Sequence, residues 1–359
     1  MQMLVTKKSN LGGARLSNFE LLRLLCMLMV LNLHSFWGWQ HGTGIWQAVD
    51  FFRESTSICA VDCFVLISGY FGIKWKFNSL FNLFFQLFFY SIGVYLVAVA
   101  CGVVGWDLKS FLMRFACLST DSWGFVVSYV ILYFCSPVLN IFAERHSAKM
   151  LFVYIIVFVL ALNLISFTAS SAFTYSVVYL IGRLLRKINI ESVKMPATLL
   201  YWITTATIFI IVYFVLFKMF HISSAEIVGK RPVGSIGYDY AAPLVILQAV
   251  TLFSIFAKIK IECKIINWCA RSAFAVFLIH MHPTIKQIGY LSFAQGLYEY
   301  PVLKHIFILV ILIVSVFVGS IIIDRFRIFI SSICYYVIEK IYGFIPTKYR
   351  LWDTYLSDK

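Results

Sequence analysis

The first apolar run of the chain carries ionisable groups where hydrocarbon would ordinarily exclude them. It reads Glu20-Leu-Leu-Arg23, continues through seven apolar residues and Leu31, and ends in Asn32-Leu33-His34. In a helix turning 100° per residue, eleven steps bring His34 to within about 20° of the Arg23 face and roughly 16 Å further along. Both side chains therefore point to one side. A neutral imidazole can take a proton from a hydroxyl nucleophile, and a guanidinium can grip a phosphate or a developing oxyanion. Glu20, three residues before Arg23 on nearly the same face, is placed to hold the guanidinium. The plainer readings are an interfacial anchor for Arg23 and a helix–helix hydrogen bond for His34.

Two further runs add to this set. Asp62 lies inside Val61-Asp62-Cys63-Phe64-Val65-Leu66-Ile67-Ser68-Gly69-Tyr70, and a carboxylate at that depth needs a cation or several donors. Orienting His34 and pairing with Arg23 are both open to it. Ser68 and Gly69 are small enough for a close helix approach. His280 lies within Phe274-Ala-Val-Phe-Leu-Ile-His280-Met-His282-Pro283, as a site residue or a structural one. His280 and His282 cannot share a helix face, which argues against a metal held on this helix. No metal site is expected elsewhere, because the nine cysteines sit mainly in apolar runs without ligand spacing.

The elements that must position these groups follow from composition. Of 359 residues, 61% are apolar and 13% charged, too little polar surface for a soluble domain of this length. Segments such as 151–165 are apolar on every side, which excludes the alternation of an outer-membrane barrel and requires helices that close their own hydrogen bonds. The expected fold is all-α and polytopic, with about ten transmembrane helices near 19–37, 56–73, 80–104, 122–142, 150–167, 172–185, 197–219, 239–257, 272–290 and 303–323. A cytoplasmic segment 1–18 precedes this membrane domain (19–323). A cytoplasmic amphipathic segment follows (324–359), with 326–345 reading as a helix on the membrane surface. With both termini inside, only Arg53, Lys109, Arg114, Lys218, Lys230, Arg231, Lys286 and Lys304, 8 of the 30 Lys and Arg residues, fall outside. The net charge of +14 is thus membrane anchoring, and no nucleic-acid partner is expected because the basic residues form no continuous stripe.

In this order the motifs resemble the membrane-bound acyltransferase-3 family, bacterial enzymes that O-acylate sugars of the cell envelope. The family's acidic-x-x-Arg-(ten residues)-His pattern is similar to Glu20, Arg23 and His34, with Glu where Asp is usual. Its second-span pattern looks like Asp62 to Tyr70, and its middle pattern like Trp123, Phe125, Tyr129 and Pro137-Val138-Leu139-Asn140. Gly182-Arg183 and Phe277-Leu278-Ile279-His280 resemble its later motifs. The resemblance covers residues 18–285 and points to a stand-alone member of the bacterial inner membrane.

The resemblance implies an acyl-CoA donor, most often acetyl-CoA, no permanently bound cofactor, and an envelope glycan or lipid-linked sugar as acceptor in contact with membrane lipid. His34 is then the general base, with an acyl-histidine route as a variant, and Arg23 supports the oxyanion or the donor. Lys74, Lys76, Arg183 and Arg186 are the expected contacts of the CoA phosphates. The family's Arg-x-x-Arg loop is reduced here to Lys74-Trp75-Lys76, which weakens that last expectation. The rival class is a glycan or lipid transporter or an envelope polymerase; a transporter would favour broken helices and internal repeats, and no repeat is found.

Overall fold

The computed structural model describes residues 16–36, 44–119, 123–164, 171–222 and 237–343, and every element among them is helical. Lys230 and Arg231, the chain before residue 16 and the chain beyond residue 343 lie outside the described residues. The order is α1 (Ser17–His34), α2 (Ile45–Ser57), α3 (Ala60–Phe71), α4 (Phe77–Ala100), α5 (Leu108–Met113), α6 (Gly124–Arg145), α7 (Ala148–Leu164) and α8 (Ser171–Lys187). It continues with α9 (Ala197–Phe209, prolonged as a π-helix over Ile210–Met219), α10 (Pro243–Ala257), α11 (Lys264–Ala270), α12 (Ala273–His280) and α13 (Val302–Gly343).

Four helices are long and apolar enough to cross a membrane unaided: Ser79–Ala100, Gly124–Arg145, Ala197–Met219 and Val302–Val337. Their outer surfaces match that role. Phe214 on the α9 extension is 52% exposed and Phe307 on α13 is 67% exposed, a surface that suits lipid and not water. The protein is a membrane protein, helical in every element of its described residues.

The tightest crossing is α3 on α8. A Cβ on Gly182 would lie 2.5 Å from the Leu66 carbonyl oxygen, and one on Gly69 would run into the Tyr179 backbone. Two glycines facing each other let the backbones touch, the device that replaces hydrophobic driving force between helices in lipid. Gly72, at φ +75°, ends α3 in a conformation that only glycine adopts cheaply, and the Arg183 guanidinium packs against it.

Three expected spans differ in detail. The second, 56–73, is shared between α2 and α3, which break at Ile58-Cys59. Its upstream part is an amphipathic helix whose buried face is largely polar, holding Asp50, Glu54, Ser55 and Ser57 beside Phe51. The ninth, 272–290, stops being α-helical after His280, because Pro283 has no N–H to continue the ladder and Gly289 takes a non-helical conformation. The tenth does not end at 323. α13 runs on without proline to Gly343, so the described part of the expected surface helix 326–345 continues the tenth span's helix, and the boundary at 324 falls within it. Inside it, Arg327 donates to Asp324 from Nε (2.8 Å) and from a terminal nitrogen (3.0 Å), and Tyr90 of α4 donates to the same carboxylate at 2.8 Å. That satisfied trio, buried on the face toward α4, lets the helix carry charge through its turn.

Candidate active site

Arg23, Met27, Val30 and His34 recur at three- and four-residue steps on α1 and all line one cavity of about 510 Å³. α12 runs beside α1 in the same direction, with Arg271 just before it and Met281 just after it on the same cavity wall. Arg23 and Arg271 thus mark one end and His34 the other. The wall between them is largely aromatic and apolar, built from Val61 and Phe64 of α3, Phe125 of α6, and Phe274 and Phe277 of α12, with Ser68, Tyr129 and Tyr175 adding hydroxyls.

At the Arg23 end, a terminal guanidinium nitrogen donates to Glu20 Oε1 at 2.7 Å. Glu20 is buried while the Arg23 side chain is 30% exposed, so the carboxylate fixes the arm and the fork stays accessible. Arg271, which the sequence reading treats only as an inner-surface charge, is the second cation at this end.

At the other end, His34 Nδ1 and His280 Nε2 are 2.8 Å apart, and His280 Nδ1 lies 2.6 Å from the Val276 carbonyl oxygen. A carbonyl only accepts, so His280 Nδ1 must donate to it. With both rings neutral, His280 Nε2 then carries a lone pair and accepts from His34 Nδ1–H. His34 is thereby held as the Nδ1–H tautomer, and its basic nitrogen is Nε2. The backbone of α12 sets the proton inventory of a histidine on α1. His282 is a structural residue by the same logic. Its Nδ1 accepts from Thr284 N–H (3.2 Å), so its Nε2–H donates to the Ser91 carbonyl (3.0 Å).

The last turn of α1 is gripped from two sides, by residues that no motif in the sequence marks. Tyr290 donates to the Leu31 carbonyl at 2.7 Å. Arg53 of α2 donates from Nε to Asn32 Oδ1 at 3.0 Å, and its terminal nitrogens reach the Asn32 carbonyl (3.4 Å), the Ser35 hydroxyl and Asp50 Oδ1 (2.8 Å). Tyr298 donates to the other oxygen of Asp50 at 2.6 Å. The available signal is the spacing Asp50, Phe51, Glu54, Ser55, one face of a helix in what otherwise reads as a connection.

Asp62 neither orients His34 nor pairs with Arg23. It is fully buried in the first turn of α3, and neither carboxyl oxygen has a hydrogen-bond partner among the described residues. The four expected phosphate contacts lie away from the cavity wall. Lys74 and Lys76 are exposed beyond α3. Arg183 pairs with Glu144 at 3.2 Å, and Arg186 donates to the Tyr70 hydroxyl at 3.3 Å while covering its ring. No group of three or more metal-ligating side chains occurs among the described residues.

A family model described as an acyltransferase domain matches residues 16–325, which take in both ends of this cavity. No curated protein and no solved structure matches the chain.

Proposed function

The chain belongs to the acyltransferase-3 family, and from that premise we propose that it moves an acyl group, acetyl by preference, from acyl-CoA to a glycan hydroxyl. The acceptor is an envelope glycan or its lipid-linked precursor. The observation that carries this reading is the hydrogen-bonded chain Val276–His280–His34, which opens on a cavity with two arginines at its far end.

The chemistry runs in two steps. The acceptor hydroxyl attacks the thioester carbonyl while His34 Nε2 takes its proton, a contribution of roughly 10²–10⁴-fold. The carbon–sulfur bond then breaks, and the thiolate leaves with the proton returned from His34, giving ester and free CoA. His280 acts through His34, since an acceptor on Nδ1–H stabilises the imidazolium of the first step. The oxyanion that forms needs a fixed donor or cation. Arg23 and Arg271 guide the donor from their end, with Glu20 steadying Arg23.

The membrane arrangement in this reading has ten crossings and both termini in the cytoplasm. α2 and α3 together supply one crossing, and α12 with the π-helical turn Gln287–Leu291 supplies another. The Lys and Arg imbalance supports it, with the Arg23 end on the cytoplasmic side, and the family resemblance favours the inner membrane of a bacterium. Acyl-CoA then enters from the cytoplasm and the hydroxyl meets it near the outer leaflet.

The test is mass and NMR analysis of envelope glycans from strains with and without the gene. Loss of acyl esters at unchanged polymer length and amount supports the transferase. Loss of surface polymer with unchanged composition would replace it with a transporter or polymerase.

A further inference from the structure

A second cavity, of about 890 Å³, lies at the Arg23 end of the molecule and is not part of the wall described above. Its walls are the residues that start α1, Leu16 to Asn18, and the connection from α10 into α11. Leu16 stands seven residues before Arg23, hence on nearly the same face of α1 and about 10 Å below it. α11 divides the two spaces, with Lys264 and Asn267 lining this cavity, and Ala270 and Arg271 lining the other. One short helix leads from one to the other.

The connection is rich in cations. Lys258, Lys260 and Lys264 all line the cavity. The opposing carboxylates are Glu262 and Glu191, and Glu191 already accepts from Tyr70 at 2.7 Å, beside Arg186. The connection is also fixed in place. Cys263 N–H donates to Ser17 Oγ at 2.9 Å, Asn18 Nδ2 donates to the Phe256 carbonyl at 3.0 Å, and Lys258 Nζ reaches the Met195 carbonyl at 3.4 Å. Lys260 and Lys264 are exposed. A ligand here meets point charges on a backbone already held, with little ordering left to do.

We propose that this cavity seats the nucleotide end of acyl-CoA, the 3′-phosphorylated adenosine diphosphate. Lys260 and Lys264 meet its phosphates, and the neutral pantetheine arm runs past Arg271 and Arg23 into the first cavity. The inference rests on the acyl-CoA reading given above and assigns that donor a place. It moves the nucleotide from the Lys74, Lys76 and Arg183 side to the α10–α11 connection, where Arg186 shares the Tyr70 hydroxyl with the cavity residue Glu191. A polyanion suits the three lysines, and the thin, neutral part of the donor suits the aromatic wall beyond.

The experiment compares two donors with purified protein in nanodiscs: acetyl-CoA, and acetyl-pantetheine, which lacks the nucleotide. The double variant Lys260→Ala/Lys264→Ala should lower the preference for acetyl-CoA, as a ratio of kcat/KM values, by about tenfold or more. The loss should fall in KM. Raising the salt concentration should erode the wild-type preference and leave that of the variant nearly flat. An unchanged preference in the double variant, with a lowered one in Lys74→Ala/Lys76→Ala, would overturn the placement and leave the transferase reading standing. A wild-type protein that takes no acyl group from either donor would remove the acyl-CoA reading, and the nucleotide seat with it.

Discussion

His34 Nδ1 and His280 Nε2 face each other at 2.8 Å across the α1–α12 contact, although 246 residues separate them in the chain. Neither residue has a free choice of tautomer, because the Val276 carbonyl fixes the first proton of the series. The two histidines should therefore fail differently. His34→Ala removes the base and should cut acyl transfer by roughly 10²–10⁴-fold. His280→Phe keeps a ring but deletes the acceptor on Nδ1–H, and should cost roughly tenfold, the scale of one buried hydrogen bond of about 1–2 kcal/mol. Transfer of label from radiolabelled acetyl-CoA, normalised to protein level, measures both. Normal transfer by His34→Ala would take it out of the mechanism.

Arg23 offers a test of geometry against charge. An anchor needs only a long side chain with a positive head, which Lys supplies. A residue that grips the donor's amide carbonyls as its arm passes uses the planar fork, which Lys lacks. Arg23→Lys should insert normally yet transfer roughly tenfold less label, for the loss of a charge-assisted hydrogen bond of about 1.5–3 kcal/mol. Wild-type transfer by the Lys variant returns Arg23 to the role of anchor.

Arg53 connects α2 to the end of α1, and its removal leaves Asp50 buried with a cation missing. Arg53→Met should destabilise the protein by about 3–5 kcal/mol, the cost of breaking a buried pair from one side. Asp50→Asn/Arg53→Met should recover part of it. Thermal unfolding of the purified protein in detergent reads both, and a single variant that melts with the wild type contradicts the assignment.

The α3–α8 crossing predicts failure of a different kind. In Gly182→Leu the added atoms meet backbone and not a side chain that can swing aside. Folded yield by size-exclusion chromatography should collapse, while Gly296→Leu, with no atom near the new Cβ, should purify normally. Equal yields would show that α3 and α8 can move apart.

Orientation is checked by reporter fusions. A reporter joined after Trp106 should read as outside and one after Arg145 as inside. The reverse pattern would turn the ten-crossing arrangement over.

The helical, membrane-embedded class was legible because composition and uninterrupted apolar runs depend on nothing beyond the chain itself. So was the pairing of Arg23 with His34 on one wall, because helix periodicity fixes the angle between residues eleven apart. Contacts between distant segments leave no such trace. That His280 meets His34, and that Arg53 and Tyr290 hold the end of α1, depends on how helices pack. The break between α2 and α3 was hidden for another reason. α2 buries polar side chains whose partners come largely from distant segments, Tyr298 for Asp50, Tyr238 for Ser55 and Asn32 for Ser57, so its buried face does not read as an apolar stripe. Asp62 remains the least expected placement, since burial without a partner is what the physics of its position argues against.

The long cavity between Arg23 and His34 also bears on energy conservation. A membrane that stores a proton gradient cannot tolerate a wet path with ionisable groups at both ends. The stretch around Phe64, Phe125 and Phe277 sets aromatic rings between the two ends, a surface that holds water poorly. The arginine pair adds a positive barrier to hydronium and metal cations at one end. In the acyl-CoA reading proposed above, the donor's own arm fills that passage, so one wall serves both to guide the substrate and to hold back ions.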